Sequence, residues 1–117
     1  MDRIRICDLR VRCILGVNPD ERREKQDVVI NLVIHADLTK AGKSDRLEDT
    51  LDYRTLKKRV LIMAESSQYY LEEALAEAIA ALCLDDSAVK QVEVRVDKPY
   101  ALRFARSVAV EITRGRA

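Results

Sequence analysis

The sequence predicts an α+β domain in which four largely antiparallel strands bury one face of their sheet under two helices. Three observations predict this fold class: two segments with alternating apolar residues come first, two segments with helical spacing follow, and two more alternating segments come last. The element order is therefore strand, strand, helix, helix, strand, strand. We expect one domain over residues 1–117, because two separate cores would each bury too little apolar surface to offset chain entropy.

The first two strands are predicted from period-two alternation. Residues Asp2 to Leu15 alternate, but the apolar positions change phase near Cys7 and Asp8, which indicates a bulge in a long strand. Gly16 to Asp20 contains turn-forming residues, and Gln26 to Leu38 then alternates again. One face of this second segment carries Val28, Ile30, Leu32 and Ile34. We expect the two segments to form an antiparallel hairpin.

The helices follow a polar segment, Thr39 to Asp52, which is predicted to be an exposed crossing whose length suggests a functional role. The first helix is predicted from Arg54 to Ser66, where apolar residues recur at helical spacing. The second is predicted from about Tyr70 to Leu84, where several alanines favour a helix. Its apolar stripe consists of Leu71, Leu75, Ile79 and Leu82.

The last two strands return to period two. Val92, Val94 and Val96 alternate with polar residues, and Lys98-Pro99 ends this strand because proline cannot donate to the ladder. Tyr100 to Arg106 is predicted to be a loop, and the final strand carries Val108, Val110 and Ile112. The charged second face of the sheet could meet water, or the sheet edges could pair with neighbouring subunits to close a barrel.

The composition limits the function classes. Lys and Arg total 21 against 20 Asp and Glu, and this net charge of +1 gives no field that favours nucleic acid. No apolar run reaches the length of a membrane span, and the N-terminal residues do not resemble a secretory signal, so a cytoplasmic location is expected. Three cysteines without CxxC spacing and one histidine predict no disulfide framework and no metal site; the cysteines are expected to be buried.

Four local patterns match one family in chain order and together span most of the sequence. They are Gly16-Val17 with Glu21 and Gln26, then Asp49 to Tyr53, then Leu71 to Glu77, and finally Val96 to Pro99 followed by Ala101-Leu102. With these motifs the chain resembles the dihydroneopterin aldolases, a family that includes the closely related dihydroneopterin triphosphate epimerases.

The resemblance implies the tunnelling fold, in which four subunits pool their sheets into a barrel and two such rings stack into an octamer. It also implies active sites between subunits. The implied reaction belongs to folate biosynthesis: a pterin substrate, 7,8-dihydroneopterin, is cleaved by a retro-aldol step to 6-hydroxymethyl-7,8-dihydropterin and glycolaldehyde, with neither metal nor bound cofactor.

The resemblance implies three catalytic residues. Lys98 matches the family's catalytic lysine at a strand end, where an amine can exchange protons with the substrate through water. Tyr53 matches a tyrosine that helps to move protons at the side-chain carbon, a task that suits a phenol because it both donates and accepts. Glu21 matches a loop glutamate that supports Lys98, with Asp20 and Glu24 as the competing carboxylates.

Glu73 matches the residue that anchors the pterin, with Glu72 and Glu77 as competing candidates. The physical reason is specific, because the aminopyrimidinone edge presents two parallel N–H donors that one carboxylate can accept. The same motifs add four residues that are expected to contact the substrate: Leu51, Asp52, Leu71 and Leu75.

Two alternatives to the aldolase remain open. The segment Leu102 to Val108 resembles the epimerase branch at least as well, and Arg103 and Arg106 could attract a triphosphate tail by charge. A non-catalytic binding module also suits a four-stranded sheet with two helices. An RNA-binding module would be expected to carry paired aromatic residues on its strands, where they stack on bases. The predicted strands lack such pairs, since Phe104 is the only phenylalanine and tryptophan is absent.

Overall fold

The computed structural model describes residues 1–116 and contains one antiparallel sheet. Its strands lie in the order β1-β2-β3-β4, with β1 at Asp2–Cys13, β2 at Gln26–Ala36, β3 at Gln91–Pro99 and β4 at Ser107–Gly115. Helix α1 is Pro19–Arg23, α2 is Thr39–Ser44, α3 is Tyr53–Ser66 and α4 is Glu72–Leu84. The four-stranded antiparallel sheet and the order of the long elements confirm the prediction.

Two short helices lie where the sequence predicted only connections. Helix α1 begins with Pro19, which suits the first helical position because its missing N–H is not needed there. Helix α2, followed by a single 3-10 turn at Leu47–Asp49, occupies the predicted crossing. Neither short helix buries a residue, so neither left an apolar periodicity in the sequence.

The bulge in β1 is confirmed. The pairing register with β2 shifts between Ile6 and Leu9, and Asp8 has a φ of 55°. The Asp8 N–H, freed from the ladder, donates to Oδ1 of Asn31 at 2.8 Å. Cys7 is exposed beside the bulge, which corrects the expectation of three buried cysteines; Cys13 and Cys83 are buried as predicted.

One hydrophobic core fills the space between the sheet and the two long helices. The second strand contributes the four apolar residues that alternation predicted, Val28, Ile30, Leu32 and Ile34, all essentially inaccessible to solvent. Helix α3 contributes Leu56, Val60 and Ala64, and helix α4 contributes Leu75, Ile79 and Cys83. Burying these side chains is the main stabilising term, at about 25 cal/mol per Å² of apolar area.

The other face of the sheet is polar and carries a groove of about 1060 Å³. Arg95 donates to Asp97 at 2.7 Å and to Glu111 at 3.1 Å within this face. Among residues 1–116, no helix combines the length and the apolar character that crossing a membrane requires.

Candidate active site

The strand directions give the domain two distinct ends. At one end β1 finishes, β2 begins, β3 finishes and β4 begins. Helix α3 also ends here, and α4 begins here. The hydrogen bond from the Gly16 N–H, just after β1, to the carbonyl of Tyr69 at 3.2 Å places the segment between the two helices at this end. We call this the Lys98 end. The opposite end, where α3 begins, is the Tyr53 end.

Lys98 is the centre of the Lys98 end. It is 9% exposed and faces the helical layer rather than the polar groove. Its Nζ donates to Oε2 of Glu21 at 2.6 Å. The structure therefore brings together two of the predicted catalytic residues, and it selects Glu21 over its neighbour Asp20, whose exposed side chain pairs with Arg23 instead.

Glu21 is held ionised by several donors. Burial opposes its charge, but hydrogen bonds from Lys98, from Gln26 and from the backbone N–H of Asn18 outweigh that effect and lower the pKa of Glu21. The Gln26 amide donates at 3.2 Å and the Asn18 N–H at 3.3 Å. The result is a preorganised carboxylate and ammonium pair that can pass a proton to or from a bound molecule.

Gly16 makes this arrangement possible. Its φ is 138°, a region that residues with a Cβ rarely adopt, and a Cβ built there would overlap the carboxylate of Glu21. Arg22 supports the same loop, since its guanidinium donates to the carbonyls of Gly16, Gln68 and Tyr69 at 2.8–3.1 Å. The guanidinium also lies 3.9 Å from the ring centroid of Tyr70. The loop that carries Glu21 is thereby tied to the segment that leads into α4.

Two adjacent glutamates open helix α4. Glu73, the predicted pterin anchor, is exposed, whereas Glu72 is only 8% exposed. Glu72 lies three residues before Leu75 and seven before Ile79, which puts it on the buried stripe of the helix. That spacing was present in the sequence and is the signal that could have singled out Glu72. Glu77, the third candidate, is an exposed partner of Arg114.

The carboxyl of Glu72 has an unusual environment. The pKa of Glu72 is raised to about 7, chiefly because the carboxyl is buried. Lys98 and a hydrogen bond from the backbone N–H of Val110 lower the pKa, whereas the nearby charges of Asp97 and Glu73 raise it. Its Oε2 is buried and has no hydrogen-bond partner among the residues that the structure describes. The first turn of α4 is also uncapped, because the preceding residue, Leu71, provides no side-chain acceptor for its free N–H groups.

The predicted substrate-contacting leucines divide into two groups. Leu71 is half exposed at the start of α4. Leu51 and Leu75 are 3% and 0% exposed and belong to the hydrophobic core, so their side chains present no surface to a ligand in this chain. Asp52 caps α3, where its Oδ1 accepts from the N–H groups of Arg54 and Thr55.

Tyr53 lies at the other end of the domain. It is the first residue of α3, is half exposed, and stands one whole helix away from the Lys98 end. The helix has 14 residues, which at 1.5 Å per residue is about 20 Å. Within one chain the structure therefore does not bring Tyr53, Asp52 or Leu51 to Lys98.

The loop after β3 presents large apolar side chains to solvent. Tyr100 is 82% exposed and Phe104 is 97% exposed, with Leu102 between them. Arg103 stacks on Phe104, with its guanidinium carbon 5.1 Å from the ring centroid, and Arg106 is also exposed. Across residues 1–116, no three His, Cys, Asp or Glu side chains cluster as a metal site would require.

This chain is similar to known proteins over nearly its whole length. The family model described as dihydroneopterin aldolase matches residues 4–113. The dihydroneopterin aldolase of Methylorubrum extorquens is 40% identical over 99% of this chain and 92% of its own length. A dihydroneopterin triphosphate 2'-epimerase of Pseudomonas aeruginosa is 40% identical over 96% of this chain and 91% of its own length.

Two further similarities concern a longer protein and a solved structure. A folic acid synthesis protein of Dictyostelium discoideum is 40% identical over 97% of this chain, which spans only 17% of that protein. The crystal structure of Escherichia coli dihydroneopterin aldolase in complex with neopterin superposes with a TM-score of 0.94, at 33% identity, over 98% of this chain and 100% of that one. The chain belongs to the dihydroneopterin aldolase family, as its four sequence motifs predicted.

Proposed function

We propose that this protein is a cytoplasmic dihydroneopterin aldolase of folate biosynthesis. One observation carries the proposal: Lys98, nearly buried at a strand end, donates to Glu21 at 2.6 Å beside the uncapped start of α4. An aldol cleavage needs such a proton-exchanging pair close to a pocket that orients the substrate.

In the proposed reaction Lys98 first passes a proton to the carboxylate of Glu21 and then, as a neutral amine, takes the proton of the 2'-hydroxyl of dihydroneopterin. The 2' carbon becomes the aldehyde of glycolaldehyde as the bond between C1' and C2' breaks. The electron pair passes to the ring imine, whose N5 takes a proton. A proton then reaches C1' as N5 releases its own, which gives the hydroxymethyl product. Because the ring itself is the electron sink, the reaction requires neither a metal nor a bound cofactor.

Glu73 anchors the pterin in this proposal. Its exposed carboxylate lies in the first turn of α4, on the same end as Lys98, and can accept both N–H groups of the aminopyrimidinone edge. Leu71, half exposed beside it, provides apolar contact. The neopterin bound by the E. coli relative supports a ligand of this class.

The proposed enzyme is a homo-oligomer with sites between subunits. The supporting observation is the distance of about 20 Å that helix α3 puts between the Tyr53 end and the Lys98 end. Tyr53 and Asp52 therefore act in the site of a neighbouring chain. In this assembly four subunits join their sheets into one barrel, and two such rings stack into an octamer. The barrel would also enclose the polar groove and remove the free edges of β1 and β4.

A second candidate function is 2'-epimerisation of dihydroneopterin triphosphate. Exposed Arg103 and Arg106, on the loop that follows Lys98 and Pro99, favour it because they can attract a triphosphate tail. A relative with that name is 40% identical. Both reactions share the retro-aldol step and differ in whether the aldehyde is released or added back.

The test is product analysis after incubation with dihydroneopterin and, separately, with its triphosphate. Hydroxymethyl-dihydropterin and glycolaldehyde from the first substrate are the expected result. If the only product were the 2' epimer of the triphosphate, the protein would instead be an epimerase. A chelator should leave the rate unchanged, and turnover of neither compound would reject both candidates.

A further inference from the structure

We propose that Arg22 is a positioning residue, which holds the carboxylate of Glu21 in place for proton exchange with Lys98 by tying helix α1 to the segment that leads into α4. This role rests on the proposed function. It falls to a side chain that neither the sequence motifs nor the proposed reaction uses, and that acts through Glu21 without touching the substrate.

Helix α1 has no hydrophobic packing of its own to fix its position. Its five residues include none that is buried, and a helix this short is unstable as an isolated element. Its place therefore depends on polar contacts. Two neighbouring side chains of the helix supply them: Glu21 accepts from Lys98 and Gln26, and Arg22 donates to a different set of partners.

The guanidinium of Arg22 joins two separate segments of the chain. Its Nη1 donates to the carbonyls of Gly16 and Tyr69 at 3.1 Å each, and its Nη2 donates to the carbonyl of Gln68 at 2.8 Å. The ring of Tyr70 covers its face, at 3.9 Å from the ring centroid. Donation in the plane combined with stacking on the face is a geometry that suits a guanidinium and not an ammonium. The turn after β1 and the connection between α3 and α4 are thereby held together.

The connection that Arg22 grips is itself held firmly. It continues directly into α4, which packs into the hydrophobic core through Leu75 and Ile79. Arg22 thus attaches a helix without core contacts to one that has them. Without this attachment α1 would be free to shift while Glu73, the proposed anchor on α4, stays in place. Reaction rates are sensitive to such a shift, because a displacement of about 1 Å can cost roughly a hundred-fold.

The experiment compares the wild type with Arg22→Met, which removes every donor, and with Arg22→Lys, which keeps the charge but loses the planar fork. Arg23→Met is the matched control, since Arg23 is exposed and pairs with exposed Asp20. Ile34→Val controls for lowered stability, because it shortens a core side chain far along β2 from Lys98. The measurements are kcat for dihydroneopterin, the Kd for neopterin and the melting temperature between pH 5 and pH 3.

We expect Arg22→Met to lower kcat roughly ten- to hundred-fold while the Kd changes by less than about three-fold. Arg22→Lys should lie between Arg22→Met and the wild type, and both controls should keep the wild-type kcat. A positioning role and a general loss of stability differ in this split, because reduced stability alone leaves the kcat of the folded enzyme unchanged.

The acid dependence reports on Glu21 without any turnover. Burial opposes the charge of Glu21, but its hydrogen bonds, including that from Lys98, lower its pKa. A displaced carboxylate loses these bonds, so its folded pKa returns toward the unfolded value and less stability is lost as the pH falls. The melting temperature of Arg22→Met should therefore fall less steeply than that of the wild type, as in Glu21→Gln, whereas Arg23→Met should keep the wild-type slope.

A wild-type kcat in Arg22→Met, or a wild-type acid slope, would overturn the inference. An equal loss of kcat in Ile34→Val would also overturn it, since stability alone would then explain the effect. If Arg22→Met did not fold, a wild-type kcat and acid slope in Arg22→Lys would decide against the role. Turnover of neither pterin substrate by the wild type would instead reject the proposed function, and the acid slopes would still show whether Arg22 positions Glu21.

Discussion

The ammonium of Lys98 and the carboxylate of Glu21 meet at 2.6 Å although 77 residues separate them in the sequence. Both side chains are largely buried, at 11% and 20% side-chain exposure, so solvent screens the pair less than a surface ion pair. Further donors from Gln26 and Asn18 fix the carboxylate. The pair is thus preorganised before any ligand arrives, which is what proton transfer at a defined position requires.

Replacement of Lys98 should separate chemistry from binding. We expect Lys98→Met to lower kcat by roughly 10²–10⁴, while the Kd for neopterin changes by less than about three-fold, because the proposed anchoring contacts come from α4. Glu73→Gln should show the opposite pattern, with a Kd raised about ten-fold or more through loss of a charged acceptor. Steady-state kinetics and calorimetry measure the two effects.

Lys58→Met is the control for the Lys98→Met and Glu73→Gln variants, since Lys58 is exposed on α3. It should retain wild-type kcat and Kd. If Lys98→Met abolished binding while Glu73→Gln lost only turnover, the two roles would have to be exchanged.

A single methyl group at Gly16 should disrupt the contact between Lys98 and Glu21. In Gly16→Ala the new Cβ meets the Glu21 carboxylate, and the φ of 138° strains any L residue, so the carboxylate must leave Lys98. We expect a melting temperature lowered by several degrees, from about 1–3 kcal/mol of strain, together with a large loss of kcat. Thermal melts and kinetics check both.

Gly42→Ala gives the matched comparison, because a Cβ at that position in α2 meets no atom within 4 Å. Alanine there should stabilise slightly through its higher helix propensity and leave kcat unchanged. Equal kinetics for the two alanine variants would show that the position of Glu21 does not matter for the reaction.

The sequence predicted elements correctly where one face is buried, because burial makes apolar residues recur at a regular spacing. It did not predict elements that bury no side chain. The sheet followed from alternation because one face is buried, and even the bulge at Asp8 was visible as a change of phase. The exposure of Cys7 was missed because a residue at a bulge no longer follows the alternation of its strand. The short helices α1 and α2 bury nothing, so no apolar pattern marks them.

The candidate site shows the same division. The family resemblance implied that Glu21 supports Lys98, and the structure places the two side chains in contact although they lie on different elements. The burial of Glu72 beside the exposed Glu73 depends on a rotation of 100° per residue about the helix axis, which a motif alone does not resolve. The separation of Tyr53 from Lys98 follows only from the direction of α3 relative to β3, which requires the three-dimensional structure.

Acid should unfold the wild type in part through Glu21. Its pKa is lowered in the folded state, so the stability it contributes is complete above its unfolded value of about 4.5 and is lost as the pH falls through the lower folded value. Between pH 5 and pH 3 we therefore expect the wild-type melting temperature to fall more steeply than that of Glu21→Gln. Asp20→Asn, an exposed neighbour, should keep the wild-type slope. Parallel slopes for the wild type and Glu21→Gln would contradict the lowered pKa.

Sites shared between chains should permit two inactive variants to rescue each other. About 20 Å of helix separates Tyr53 from Lys98 in one chain. In the proposed oligomer, each site therefore takes its lysine from one subunit and its tyrosine from another. Tyr53→Phe and Lys98→Met should each be strongly impaired alone. Refolded together in equal amounts with random mixing, about a quarter of the sites receive both wild-type residues.

The measurement is the rate of glycolaldehyde release by the mixture compared with the wild type at the same total concentration. Activity near a quarter of wild type after joint refolding, and none after simple mixing of the refolded variants, is the expected outcome, because subunits must exchange before a complete site can form. A double variant, Tyr53→Phe with Lys98→Met, refolded with wild type, controls for mixing efficiency. If joint refolding gave mixed oligomers without recovered activity, no site would combine Lys98 of one chain with Tyr53 of another, and the proposal of sites between subunits would be wrong.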